Sequence, residues 1–292
     1  MRGMTAGMTI WVLLATHVVG RDIFVDNLGG DDRRNGRSKT SQGSASGPCR
    51  TIAKALRIAE AGDKISLVNT GEPYRESISV QAGRHSGIGD YAFEIIGNGA
   101  VLDGTVSLAD AQWEYLGRDI FRVQPRLMSY QQLFLGEQPA IRKPIVDGKF
   151  PRLKPLEWCL RDGYIYFCVE PQHLPQGYAP RCCGLTVGIT LYDVHDVVIS
   201  DLIVRGFQLD GINAHDNVRR SDLLGVTCQA NGRSGISVQN SSRLRIEGCI
   251  VSGNGAAQIR QEDFSIVQMI GNQLDPASAP AFLRLGGKVV EE

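Results

Sequence analysis

Short runs of alternating apolar and polar residues recur along the second half of the chain at a nearly constant spacing. Each run is centred on an isoleucine, and the successive positions are Ile189, Ile212, Ile236 and Ile259. A second apolar track keeps the same phase, with Leu202, Val226 and Cys249 in one column and Val204, Cys228 and Val251 in the next. Two strand positions therefore keep one register over residues 188–260.

A period in the low twenties with two-residue alternation is typical of stacked parallel strands, because each coil buries its apolar side only against its neighbours. Asn231 and Asn254 fall at equivalent turns one period apart, where stacked amides can satisfy backbone groups. The repeat predicts an all-β protein with parallel coils over residues 181–272. The C-terminal tail, 273–292, resembles no coil.

The front of the mature chain has a different signature. Residues 22–26 read as a strand, and a loop rich in Gly, Asp and Asn leads to a helical run over 52–60, with Thr51 as N-cap and Gly62 as stop. This order resembles the opening of pectate-lyase-like proteins. The resemblance implies a right-handed single-stranded parallel β-helix, with the capping helix and first coils in residues 21–104.

Residues 105–180 interrupt the coils and hold 11 of the 20 aromatic residues of the chain. Two apolar runs, 157–160 and 164–167, flank Arg161-Asp162-Gly163, which is a hairpin signal. This pattern predicts an inserted small antiparallel β module whose aromatic side chains mainly form its core. Cys159 and Cys168 flank the hairpin and are the best candidates for a disulfide.

The N-terminal residues indicate where the protein is located, and the charge balance of the chain limits its partners. Residues 1–20 combine Arg2 with an apolar stretch over 10–19, which predicts a cleaved signal peptide and a secreted, periplasmic or cell-surface protein. No later segment is apolar enough to span a membrane. Basic and acidic residues balance at 31 each, which argues against a nucleic-acid partner. We expect a monomer.

In this fold one parallel sheet commonly forms the floor of a substrate groove, and the isoleucine-centred strands are the candidate floor. Residues in one column of adjacent coils lie about 5 Å apart, so several can act on one sugar unit. The outward columns are Thr190, Asn213, Ser237 and Arg260, and beside them Tyr192, His215, Gln239 and Glu262.

The segment 209–216 resembles the Y-G-F-D-P-H-E motif of mannuronan C5-epimerases and related alginate lyases. It matches at Gly211 and His215, whereas Leu209 or Asp210 stands where the tyrosine belongs and Asn213 replaces the aspartate. The resemblance implies a uronide polysaccharide lyase or epimerase, which acts by removing the proton at C5 of the sugar.

Such an enzyme must neutralise the substrate carboxylate, take a proton and return one. We assign His215 as base or acid with Tyr192 as its partner, Asn213 to hydrogen-bond the carboxylate, and Arg260 to supply positive charge. Further expected substrate-binding residues are Arg233, Gln239 and Asp210. Seven arginines against four acids in residues 205–260 suit an acidic polysaccharide.

Two alternatives stay open. A glycoside hydrolase needs two carboxylates about 5.5 or 6.5–9.5 Å apart, and its candidates stand in no clearly aligned column: Asp193, Asp196, Asp210, Asp216 and Asp222. A non-catalytic glycan-binding or structural protein of the cell surface would need neither arrangement. No cofactor is required, although Asp210 and Asp216 could bind Ca²⁺.

Overall fold

A computed structural model describes residues 20–291, so the predicted signal peptide lies outside the described residues except for Gly20. The elements before the insertion are β1 (Asp22–Val25), α1 (Ile52–Ile58), β2 (Lys64–Leu67), β3 (Ile78–Gln81) and β4 (Phe93–Asp103). Those of the insertion are β5 (Thr105–Ser107), β6 (Glu114–Gly117), β7 (Ile120–Val123), β8 (Leu133–Leu135), β9 (Gln138–Pro139), β10 (Ile141–Arg142), β11 (Glu157–Arg161), β12 (Tyr164–Cys168), the 3-10 helix Pro175–Tyr178, and β13 (Pro180–Cys183).

The remaining elements continue the coils to the end of the described chain. They are β14 (Ile189–Tyr192), β15 (Val197–Arg205), β16 (Asp210–His215), β17 (Ser221–Leu224), β18 (Thr227–Gln229), β19 (Ser234–Val238), β20 (Arg243–Glu247), β21 (Ile250–Ser252), β22 (Ala257–Gln261), β23 (Ile266–Ile270), β24 (Gln273–Leu274), β25 (Phe282–Arg284) and β26 (Lys288–Glu291). Over residues 20–291 we find no helix with the length and apolar character to cross a bilayer.

Six parallel strands form the isoleucine sheet, in the order β25-β22-β19-β16-β14-β3. Its pairing confirms the predicted register, because Ile189, Ile212, Ile236 and Ile259 are consecutive Cα partners. All four side chains are fully buried. Ile78 precedes this column and Phe282 follows it. The stack is therefore two strands longer than the repeat in the sequence.

The second large sheet has eleven strands and closes the solenoid. Its main path is β1-β2-β4-β15-β17-β20-β23-β26, and the short strands β18, β21 and β24 pair alongside it. Val204, Cys228 and Val251 are stacked partners in this sheet, as their spacing predicted. Cys228 is fully buried, and so is Cys249 in the neighbouring column, which fits small apolar core residues.

The prediction that residues 273–292 resemble no coil is wrong. Strand β25 pairs in parallel with β22, and β26 pairs in parallel with β23. The partner of Ile259 is Phe282, one period later, so the repeat continues with an aromatic residue in place of isoleucine. Because Phe282 stands where the repeat has isoleucine, the isoleucine spacing does not predict the last coil.

Helix α1 closes one end of the solenoid core. The Thr51 hydroxyl accepts a hydrogen bond from the Lys54 amide at 3.0 Å, which confirms the predicted N-cap. The Glu76 carboxylate accepts from the first two helical amides at 2.9 Å each. The helix ends at Ile58, earlier than predicted, because Ala59 is already extended. Its core-facing side chains are Ile52, Ala55 and Leu56.

The insertion is an ordered module of two small sheets, largely antiparallel as predicted, in the orders β10-β11-β12-β7-β6 and β5-β13-β8-β9. Strands β11 and β12 form the predicted hairpin. Trp158 and Phe167 are fully buried within it, and the Trp158 indole donates to the Ala140 carbonyl at 3.2 Å. Most of its buried apolar side chains belong to a cluster separate from the solenoid core.

No disulfide joins Cys159 and Cys168, so the prediction of that disulfide is wrong. Cys159 stands opposite Tyr166 in the hairpin rather than opposite Cys168. All seven cysteines of the chain are buried and unbonded. Burial raises the pKa of the Cys159 thiol to about 11 and that of Cys182 to about 12, which keeps both protonated and poorly reactive at neutral pH.

Candidate functional site

The outer face of the isoleucine sheet carries the predicted columns in the predicted order. Thr190 pairs with Asn213, Asn213 with Ser237, and Ser237 with Arg260. Side chains that alternate with the buried isoleucines must point to the opposite face of the sheet. The first coils were expected in residues 21–104, but sequence reasoning did not place β3 in this sheet, where Ser79 lies beside Thr190. The signal was the motif Ile78-Ser79-Val80, which lies before the insertion and outside the counted period.

Tyr192 and His215 are partners in the second outward column, and their ring centroids lie 5.0 Å apart. The Tyr192 side chain is 42% exposed, so the pair is accessible. Asp216 lies beside both rings: its carboxylate accepts the hydrogen bond that raises the pKa of the Tyr192 hydroxyl, and its Oδ1 is 3.6 Å from His215 Nδ1. The structure therefore brings two predicted catalytic groups and one carboxylate together.

Asp216 also has a purely structural reason to be there. It adopts a left-handed backbone conformation, as do Asp193, Asn240 and Asp263 at the equivalent turns. Asp and Asn tolerate this conformation better than other residues with a Cβ. Their side chains form a ladder, since the Asp216 amide donates to Asn240 Oδ1 and the Asn240 amide donates to Asp263 Oδ2. Asp193 and Asp216 are thus aligned on adjacent coils, contrary to the prediction that no aspartates align.

The column of Asn213, Ser237 and Arg260 contains polar atoms that protein groups do not satisfy. Arg260 Nη2 donates to Glu262 Oε1 at 2.5 Å, but its Nε is shielded and has no hydrogen-bond partner within residues 20–291. Asn213 Oδ1 is also shielded and has no hydrogen-bond partner in the described residues. Ser237 between them is fully buried and accepts a hydrogen bond from Gln239 Nε2 at 2.8 Å. Shielded polar atoms without partners are uncommon, so each demands an explanation.

Asp210 does not reach the groove, which corrects its assignment as a substrate-binding residue. Its side chain is fully buried and accepts hydrogen bonds from Arg233 Nη2 and Ser234 Oγ, both at 2.5 Å. The bond to Asp210 raises the pKa of the Arg233 guanidinium. Breaking a buried ion pair would be costly, so Arg233 is held in place rather than offered to a ligand.

The arginine excess in residues 205–260 is largely neutralised by ion pairs. Arg205 pairs with Asp103 at 2.9 Å, Arg220 with Asp196 at 2.6 Å, and Arg245 with Glu247 at 2.5 Å. Counting residues of one charge along the sequence therefore overstates the positive field over the groove.

The described part of the chain has no cluster of three or more His, Cys, Asp and Glu side chains arranged to hold a metal ion. Asp210 is committed to Arg233, which removes one of the two residues considered for Ca²⁺. The remaining candidate, Asp216, is a single carboxylate beside Tyr192 and His215.

The insertion is fixed against the turns that precede the isoleucine strands. Gln132 Nε2 donates to the carbonyl oxygens of Asn231 at 3.1 Å and Gly253 at 3.3 Å. Gln208 Nε2 donates to the Ser129 carbonyl at 3.0 Å. The insertion therefore packs against the turns that lead into β16, β19 and β22.

Comparison with known proteins agrees with this architecture. Residues 182–283 match the family model described as "Right handed beta helix region". A solved structure described as a glycoside hydrolase superimposes with a TM-score of 0.55 at 10% identity, over 86% of this chain and 74% of that one. No curated protein sequence matches the chain.

Two further structures are more distant. A GH136 lacto-N-biosidase from Eubacterium ramulus has a TM-score of 0.45 at 11% identity, over 86% of this chain and 42% of its own. Pectate lyase Pel9A has a TM-score of 0.43 at 10% identity, over 92% of this chain and 58% of its own.

The chain is therefore a right-handed parallel β-helix protein. This is the fold that the resemblance in residues 22–104 implied.

Proposed function

We propose that the protein binds a polysaccharide along the outer face of the isoleucine sheet and transfers a proton at one uronate unit, as a lyase or C5-epimerase does. The observation that carries the proposal is the accessible Tyr192–His215 pair, whose ring centroids lie 5.0 Å apart on the same outward face as Asn213 and Arg260.

The chemistry follows from the positions of the side chains. His215 takes the C5 proton, and the electron pair of the broken C–H bond forms the C4–C5 double bond as the C4–O bond breaks. Tyr192 returns a proton to the leaving oxygen, and its raised pKa keeps the hydroxyl protonated until that step. In an epimerase the returned proton goes instead to the opposite face of C5. Asp216 positions both rings.

Asn213, on the same strand as His215, serves the carboxylate of the reacting unit, which must be neutralised for C5 to release its proton. Arg260 lies two coils away, about 10 Å along the groove, so it would contact the carboxylate of another unit of the same glycan chain. Export, expected from residues 1–20, would bring the protein to extracellular polysaccharides. The solved structure described as a glycoside hydrolase has a carbohydrate-related name, and we carry only that substrate class to this chain.

A second candidate function is glycoside hydrolysis, favoured by one specific feature. Asp193 and Asp216 directly follow the paired Tyr192 and His215, so they stand one coil apart. One coil is about 4.8 Å, close to the separation of about 5–5.5 Å between the carboxylates of retaining glycosidases.

The test is to incubate the protein with pectate, alginate and neutral glycans while following unsaturated uronide and reducing ends separately. His215→Ala and Tyr192→Phe are expected to abolish unsaturated product. His173→Ala and Tyr115→Phe, which change exposed residues of the insertion, are the matched controls and are expected to keep it.

Each other outcome has a distinct meaning. Reducing ends without unsaturation, lost in both Asp193→Asn and Asp216→Asn, would replace the proposal with hydrolysis. Epimerisation is recognised by proton exchange at C5 without chain cleavage. Retardation in glycan affinity gels without any product would leave a binding protein and refute proton transfer.

A further inference from the structure

Two adjoining clefts lie where the insertion meets the solenoid turns, and neither includes the Tyr192–His215 pair. Their volumes are about 590 and 460 Å³, within the size range of small-molecule sites. They share Arg142, Leu160 and Gly255. We refer to the two together as the junction cleft.

The larger part of the junction cleft has one apolar wall and one polar wall. The apolar wall comes from the insertion, through Pro139, Pro144, Ile145 and Leu160. The opposite wall comes from the solenoid turns and includes Asp275 and Ser278. A sugar ring has the same division, with C–H groups on its faces and hydroxyl groups around its edge.

Arg142 stands between the two parts, and its guanidinium has neither an ion-pair partner nor a hydrogen bond within residues 20–291. The guanidinium lies 5.4 Å from the centre of the Trp158 ring, and a Cβ added at Gly255 would be 2.9 Å from its Nη1. The residue is exposed, so a ligand can reach it.

Two of the other three charged residues that line the junction cleft have ion-pair partners. Lys143 Nζ is 3.0 Å from Glu157, and Asp162 Oδ2 is 3.3 Å from Arg161 Nε. Asp275 accepts a hydrogen bond from the Ala277 amide at 2.9 Å. Arg142 is left as the lining cation without a counter-ion in the described chain.

The smaller part of the junction cleft lies at the turns that lead into β19 and β22. It is lined by Gly232 and Ala256, which lie directly before the strands that carry Ser237 and Arg260. Tyr130, 43% exposed, lines its outer side. A unit in the junction cleft could therefore belong to the same glycan as a unit in the groove.

We propose that the junction cleft is a second sugar subsite, which takes a carboxylate-bearing unit of the bound glycan and holds its carboxylate on Arg142. The proposal rests on the proposed function, because it assumes a glycan in the groove. It names an acidic sugar as the unit recognised beside the groove, by a residue of the insertion rather than of the coils.

The test compares one acidic polysaccharide with the same polysaccharide after reduction of its carboxyl groups to alcohols. Arg142→Gln is expected to weaken retardation of the acidic form about tenfold, the loss of one charge-assisted contact, and to leave the reduced form unchanged. The control is Arg152→Gln, an exposed arginine of the insertion outside both parts of the cleft, which is expected to change neither. Thermal melting checks that each variant is folded.

Asn213→Ala separates failure of this inference from failure of the proposed function. If Asn213→Ala weakens binding and Arg142→Gln does not, the junction cleft is no subsite, and the groove stands. If Arg142→Gln weakens both forms equally, the carboxylate is not what the cleft recognises, and the inference is overturned. If the wild-type protein retains no glycan, the proposed function itself fails.

Discussion

The coils and the insertion are built on opposite plans within one chain. The coil core is a set of columns in which aliphatic side chains repeat from strand to strand, as Ile189, Ile212 and Ile236 do. The core of the insertion is aromatic and irregular, centred on Trp158 and Phe167. A periodic core shares its stability among equivalent contacts, whereas the irregular core depends on a few large side chains.

The largest expected effect is that of Ile236→Asp, which places a charge in the middle of a buried column. Losing the isoleucine costs about 2–3 kcal/mol, and burying an unpaired carboxylate adds several more. We expect no folded protein. Ile250→Asp is the control, because Ile250 is 42% exposed, and it should cost below about 1 kcal/mol. An unchanged melting curve for Ile236→Asp would contradict the register.

Trp158→Ala probes the insertion in the same way. Removal of this fully buried side chain is expected to cost about 3–5 kcal/mol. Hydrogen exchange should show lost protection in β7, β11 and β12, with β16 and β19 still protected. The control Tyr115→Ala changes a side chain that is 57% exposed. Simultaneous loss of protection in the coils would mean that the two regions unfold as one unit. The insertion and the coils would then not be stabilised independently.

Asn254→Ala is expected to have an intermediate effect on the coils. Asn254 Oδ1 accepts from the Asn231 amide at 2.9 Å, and its Nδ2 donates to the Cys228 carbonyl at 3.1 Å. Leaving these buried backbone groups unpaired should cost about 1–3 kcal/mol in urea unfolding. Asn69→Ala, in an exposed turn, serves as the comparison. Equal midpoints for the two variants would show that the asparagine stack adds nothing to coil stability.

The smallest expected effect is a pH dependence from the coil turns. Hydrogen bonds from Arg220, and then from His195, lower the pKa of Asp196 to about 2. A carboxyl with a folded-state pKa below its unfolded value of about 3.9 stabilises the fold above pH 4. That contribution is lost as the pH falls towards 2. The pair is partly exposed, so the contribution should stay below about 1 kcal/mol.

The measurement is the difference in urea midpoint between wild type and Asp196→Asn at a series of pH values. The difference should be largest near neutral pH and shrink between pH 4 and 2. A difference that is constant over this range would show that the Arg220 ion pair has no role in stability.

The sequence predicts the coils well because their apolar positions repeat. It predicts the groove columns for the same reason, since the register that buries Ile212 also pairs Tyr192 with His215. Two errors come from breaks in the pattern: the insertion separates Ile78 from its column, and Phe282 replaces isoleucine in the last coil.

The site residues were harder to predict where their state depends on a partner. Asp210 lies two residues before Ile212 and therefore on the inward face, but a charged side chain is expected inside only with partners, and its partners Arg233 and Ser234 lie one coil away. Arg142 is in a short strand of the insertion, and its relation to the turns at Gly255 depends on how the insertion packs. A contact between the periodic coils and the irregular insertion produces no repeated pattern in the sequence, so the sequence does not predict it.

Because the strands of the isoleucine sheet are stacked, the number of coils fixes the distances between side chains along the groove. Each coil adds about 4.8 Å along the axis, so the distance from His215 to Arg260 is set by how many coils separate them rather than by side-chain length. Removing one complete coil between them would shorten the spacing by one step without changing any single group. Adding or deleting whole coils would therefore change the spacing of sugar units that the side chains of the groove can contact.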